Sequence, residues 1–154
     1  VRQPGPSDHL VQAYTDDHYL AAVVSTYVAA ALDQQEAAIV IATPLHVGLV
    51  SERLGALGID VQAALTARQL LYLDAGQTLM RFVTAGTPDR NRFLGVVADA
   101  LGHVRSAGYP AVRIYGEMVE FLLRHGMDAT VALERWSDEI VINEQVSLLC
   151  GYRI

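Results

Sequence analysis

The chain has 154 residues, a formal net charge of −6, one cysteine and 11 basic side chains, all of them arginine. That length suits one domain, which buries roughly 70% of the surface of its unfolded chain and needs no disulfide or structural metal to hold its core. Cys150 alone excludes an intramolecular disulfide, the absence of lysine excludes a P-loop lysine, a Schiff base and a serine–lysine pair, and an acidic balance without any basic run argues against nucleic acid and anionic membranes.

Residues 1–8, VRQPGPSD, are polar and proline-rich, unlike a signal peptide. They are expected to be a flexible lead into a single domain at 9–154. HLVQAY (His9 to Tyr14) reads as a first strand. Thr15 can cap the next helix, with Asp16 and Asp17 in its first turn. Leu20, Val23, Val24, Tyr27, Val28 and Ala31 then recur at helical spacing. The most apolar window, Tyr19 to Leu32, is shorter than the roughly 20 residues of a membrane span and is broken by Ser25 and Thr26.

AAIVIA (Ala37 to Ala42) is a near-continuous apolar strand, as expected in a sheet covered on both faces. Thr43 as cap and Pro44 at the first helical position open a helix that ends at Gly55 or Gly58. Many α/β proteins hold a phosphate at such a strand–turn–helix junction. Here the turn Thr43-Pro44-Leu45-His46 has no glycine, no lysine follows it, and Pro44 removes an N–H donor. The layout of a phosphate site is present without its chemistry.

DVQAALTAR is a short amphipathic piece before the strand QLLYLD (Gln69 to Asp74). Asp74 and Gln77 have the spacing of a capping box. Thr87-Pro88-Asp89 repeats the cap-plus-proline start, and Phe93, Val96, Val97, Ala100, Leu101 and Val104 form one apolar face. Gly108 and Pro110 mark a loop before AVRIY (Ala111 to Tyr115). GEMVEFLLRHG reads as a short helix closed by Gly126, and DATVALERWSDEIVI as a longer one with Trp136 in the core. VSLLCGY (Val146 to Tyr152) is the last strand. Five strands separated by helices predict an α/β domain with a mostly parallel central sheet and helices on both faces.

In open α/β sheets, ligands bind outside the carboxyl ends of the strands. That rule selects Tyr14 with Asp16, Thr43 with His46, Asp74 with Thr78, Tyr115 with Glu117 and Met118, and Cys150 with Tyr152. Together they would form an apolar pocket with a few polar groups. Each also has a structural explanation. Thr43 and Asp74 cap helices, Glu117 complements a helix dipole, and Cys150 serves as a small buried hydrophobe. Gly116 lends the YGEM turn flexibility beside a carboxylate, which favours function at Glu117. A metal triad of His46, Asp74 and Glu117, or a nucleophile set of Cys150, His46 and Asp74, has no supporting motif spacing. No GxSxG element is present. No catalytic residue, metal or cofactor is expected.

The segments HLVQAYTDDHYL, AAIVIATPLHVGLVSERLGALGIDV, LLYLDAGQTLMRFVTAGTPDRNRF, VRIYGEMVEFLLRHG, ALERWSDEI and SLLCGY, in that order, resemble the MEDS domain. This is the methanogen/methylotroph sensory domain named for the repressor of dichloromethane dehalogenase. The resemblance runs from about His9 to Tyr152. The family's TPxH turn falls on Thr43, Pro44 and His46, its YGEM turn on Tyr115 to Met118, and its initial histidine and tyrosine on His9 and Tyr14. The chain departs from it at Gln35-Glu36 and Ala67-Arg68, where a glycine is common, and at Val47, where a basic residue is common.

The resemblance implies a RecA/KaiC-like fold that has lost its P-loop and acts as a cytoplasmic, non-catalytic sensory domain. Its ligand would be a small organic compound, hydrocarbon derivatives included; the strand-end rule places the contacts at Tyr14, Thr43, His46, Asp74, Tyr115, Glu117, Met118 and Cys150. Its partners would be a histidine kinase, DNA-binding or other regulatory module, with a homodimer as one arrangement and no direct contact with nucleic acid or membrane. Two readings compete with it. One is a protein–protein interaction or dimerisation module without its own ligand. The other is an enzyme with residual nucleotide hydrolysis or thiol chemistry.

Overall fold

Strand residues alternate between two faces, and here both faces are covered. In β2 (Ala37–Ala42) every residue is buried. Ala37, Ile39 and Ile41 enter a core of 23 buried residues on one face. Ala38, Val40 and Ala42 enter a core of 17 on the other. This accounts for the unbroken apolar run of that strand. The computed structural model describes all 154 residues.

The second core lies under α1 (Asp17–Asp33), α2 (Pro44–Ala56) and α3 (Val61–Thr66). The first core lies under α4 (Ala75–Met80), α5 (Arg90–Arg105), α6 (Met118–Leu123) and α7 (Met127–Glu144). Between them, β1 (His9–Tyr14), β7 (Ser147–Arg153), β6 (Val112–Gly116), β2 and β3 (Leu70–Asp74) pair in that order. All four pairings are parallel. The expected α/β architecture is therefore observed.

Four local expectations are corrected. Asp16, not Thr15, caps α1, accepting from the Tyr19 N–H at 2.6 Å. Asp89, not Thr87, caps α5, accepting from the Arg92 N–H at 2.9 Å. Thr87 and Pro88 instead form β5, antiparallel to β4 (Val83–Thr84). The two residues between them, Ala85 and Gly86, have φ of 49° and 78°. Positive φ at both positions is what a tight hairpin turn requires. Finally, α6 ends at Leu123, and Gly126, at φ 116°, stands at the start of α7. Trp136 is only partly buried, packed against Phe93 with ring centroids 5.9 Å apart.

Arg113 is a charged residue inside the sheet. Its Nε donates to Glu36 at 2.6 Å, its guanidinium lies 5.5 Å from the Tyr27 ring centroid, and Nη1 reaches the Arg2 carbonyl at 3.0 Å. A buried charge persists only when paired and hydrogen-bonded. Here the pairing also brings the first residues of the chain against β6.

Candidate functional site

At the carboxyl edge, the turn after β2 and the turn after β6 meet through one carboxylate. Glu117 is buried, with φ −127° and ψ 20°, and makes no side-chain cap to α6. Its side chain turns back toward α2 instead. One oxygen accepts from the Thr43 N–H. The other is 2.6 Å from His46 Nδ1 and accepts the Tyr115 hydroxyl at 2.9 Å. His46 Nε2 is 3.0 Å from Asp17, which also pairs with Arg153. Ionised carboxylates accept and do not donate, so an imidazole with a carboxylate at each nitrogen is held as the cation. Accordingly the hydrogen bond to Glu117, followed by that to Asp17, raises the His46 pKa above its ordinary value. The hydrogen bond from His46, ahead of that from Arg153, lowers Asp17.

Two tyrosines wall this network. The Tyr14 ring stands edge-on to His46 with centroids 5.8 Å apart, and the Arg153 guanidinium lies 4.9 Å from it. Burial, followed by the charges of Glu120 and Glu117, pushes the Tyr14 phenol to about 12. Tyr115 is raised further, by burial first and then by Glu117. Gly151 is what admits the Tyr115 hydroxyl, because a Cβ there would lie 2.6 Å from it. No buried side-chain nitrogen or oxygen lacks a partner. At the TPLH turn the Thr43 N–H is engaged by the chain's own Glu117 carboxylate and the His46 N–H by the Thr43 hydroxyl. This edge is a charge relay that runs from Thr43 and Tyr115 through Glu117 and His46 to Asp17 and Arg153.

The expected pocket therefore divides. Tyr14, Thr43, His46, Tyr115 and Glu117 come together on the α1/α2 side. Asp74 stays apart as the cap of α4, accepting from the Gln77 N–H at 2.8 Å, with Thr78 buried in the same helix. Asp16 is likewise a cap. Met118 and Cys150 lie on the opposite side, where they line an apolar cavity of ≈ 50 Å³. Of its 18 lining residues 16 are hydrophobic, so its walls are almost wholly apolar. Gly116 belongs to the same wall. Its φ is not positive, and a Cβ built there would meet nothing within 4 Å. Neither its backbone conformation nor any close contact requires a glycine at this position.

Burial, then Glu134 and Asp138, pushes the Cys150 thiol far above its ordinary range, which keeps it protonated and removes it as a nucleophile. Tyr152 donates to Glu134 on α7. Sequence reasoning missed Arg153, which lies one residue past the expected strand end. It assigned Asp17 only to the helix dipole. Nothing local marks either residue, since their partners lie across the sheet.

The MEDS family model, described as the methanogen/methylotroph, DcmR sensory domain, matches residues 8–154. The chain belongs to the MEDS family. MEDS is a sensory domain, and the match takes in nearly all of this chain. A solved KaiC-like protein, PH0186, from Pyrococcus horikoshii OT3, has a similar fold at a TM-score of 0.60 and 9% sequence identity. The alignment covers 98% of this chain and 64% of that one. At that identity the likeness concerns the fold alone, which is RecA-type. No curated protein matches the chain. No helix of this MEDS domain is long and apolar enough to cross a membrane.

Proposed function

We propose that this MEDS domain is a non-catalytic sensor. Its ligand, a small apolar organic molecule such as a hydrocarbon derivative, occupies the cavity beside Gly116 and Met118. The observation that carries this reading is the cavity itself. About 10–15 Å³ would admit a water, but walls that are almost wholly hydrophobic give water no partners. A space of ≈ 50 Å³ suits a molecule of a few heavy atoms. Gly116 and Met118 border the cavity while Glu117, between them, reaches the other side of the sheet. A guest pressing on residues 116 and 118 would shift Glu117, and with it Thr43, His46, Asp17 and Arg153. That contiguous route would carry occupancy to the α1/α2 surface and on to a kinase, DNA-binding or other regulatory module.

The test is a thermal-shift titration with short plain and halogenated hydrocarbons, comparing wild type with Gly116→Val. A ligand at 100 times its Kd adds about 2.7 kcal/mol. In a domain of this size that raises Tm by roughly 5–10 °C. The valine side chain would fill the cavity and abolish the response. Silence of the wild type across the series would refute the reading and favour a module that contacts protein partners only. Turnover of ATP with magnesium would refute the non-catalytic role.

A further inference from the structure

A second cluster, at the opposite end of β1, takes no part in the relay and shares only Cys150 with the cavity wall. His9 opens β1 on the edge of the sheet, Cys150 lies in the adjoining β7, and α7 carries Glu134 and Asp138 over both. His9 Nε2 lies 3.3 Å from Cys150 Sγ and 3.8 Å from Glu134 Oε2. The three donor atoms all fall within 4.8 Å of one another. We propose that His9, Cys150 and Glu134 bind a divalent transition metal ion, zinc being the reference case.

The geometry is close to what such an ion requires. Metal bonds of about 2.0–2.3 Å at tetrahedral angles place donor atoms roughly 3.3–3.8 Å apart. Both contacts of His9 already match that spacing, and a modest rotation of the half-exposed Glu134 closes the third. The surrounding groups orient the donors as they do in metal sites. Asp138 Oδ1, 2.6 Å from His9 Nδ1, accepts a hydrogen bond from the N–H there, the tautomer that leaves the Nε2 lone pair facing Cys150 and Glu134. Tyr152 donates to Oε1 of Glu134, which leaves Oε2 turned toward His9. Glu134 and Asp138 reach the site together because they are four apart on one helix face.

Charge and donor type indicate the class of ion. Binding would displace the thiol proton of Cys150 to water and form a metal–thiolate bond. A neutral imidazole, a thiolate and a carboxylate then balance a dication. Thiolate with imidazole favours zinc, cobalt or iron over magnesium or calcium. Three protein donors leave a fourth position for an exogenous ligand. The sequence concealed this set because its members come from three distant elements and form none of the usual short metal motifs.

The test is titration of the chelator-treated domain with cobalt(II), followed by absorption. The expected result is a near-ultraviolet thiolate-to-cobalt charge-transfer band, displaced by zinc, with about one proton released per ion bound. The band should vanish in Cys150→Ser and Cys150→Ala. Affinity should fall roughly 10–100-fold in Asp138→Asn and by more in His9→Ala, while Thr87→Ala leaves it unchanged. If the cysteine variants fail to fold, Glu134→Gln and His9→Ala with zinc-dependent thermal shift carry the test. A wild-type domain without the band, or a band that survives loss of Cys150, would overturn the proposal. Its failure would leave the apolar-ligand titration unaffected.

Discussion

Replacing Glu117 with alanine should expose how much of the fold depends on one carboxylate. The substitution strips the acceptor from the Thr43 N–H, the Tyr115 hydroxyl and His46 Nδ1 together. Breaking a buried ion pair by removing one partner costs about 3–5 kcal/mol. His46 keeps Asp17 at 3.0 Å, which places the expected loss near the lower end. A loss of about 3 kcal/mol lowers Tm by roughly 6–12 °C in a domain of this size. The pH dependence gives an independent check. His46 has a raised folded pKa, so its contribution is fully present below its unfolded value, near 6.5. It is lost as pH rises through the folded value. Asp17 is shifted the other way: its contribution is present above its ordinary value, 3.8, and fades as pH falls through its lower folded one. Urea unfolding followed by circular dichroism across neutral and mildly alkaline pH should show wild-type stability declining as pH rises. The Glu117→Ala curve should be lower and flatter, because the largest cause of the His46 shift is gone. Glu117→Gln, which keeps the shape and a carbonyl acceptor, should fall between the two. A variant within about 0.5 kcal/mol of wild type, the range of an inconsequential surface change, would refute the relay as described. So would an unchanged pH slope.

Two neighbouring glycines should respond in opposite directions. Gly116→Ala places a Cβ in open space and should stabilise by about 0.5–1 kcal/mol, read by urea unfolding. Gly151→Ala drives a Cβ against the Tyr115 hydroxyl and should cost about 1–3 kcal/mol. Cys150, buried and protonated, should resist iodoacetamide in the native chelator-treated protein and react once urea unfolds it, as intact-mass measurement will show. Asp89→Ala should cost about 0.5–2 kcal/mol while Thr87→Ala has little effect, since Asp89 is the residue that caps α5.

Local chemistry determined a large part of this protein. Alternating and continuous apolar runs marked all five sheet strands, and the helical spacing in α1 and α5 marked their buried faces. Pro44 after Thr43, and Asp74 before Gln77, marked helix starts that the structure contains. The hairpin at Ala85-Gly86 escaped because two-residue strands carry too little pattern to read. The sequence also supplied Tyr14, Thr43, His46, Tyr115 and Glu117 without their pairing. It brought Thr43 and Glu117 forward as residues at the carboxyl ends of two different strands, with nothing to say that they touch.

Only the tertiary structure joined them, by placing β6 beside β2 and β7 beside β1. Periodicity reports which side of an element is buried and says nothing about which distant element covers it. The order of the strands is fixed by packing between segments far apart in the chain. That order decided that Glu117 would fill the TPLH turn, that the gap at Gly116 would open onto an apolar cavity, and that His9 would face Cys150 and Glu134.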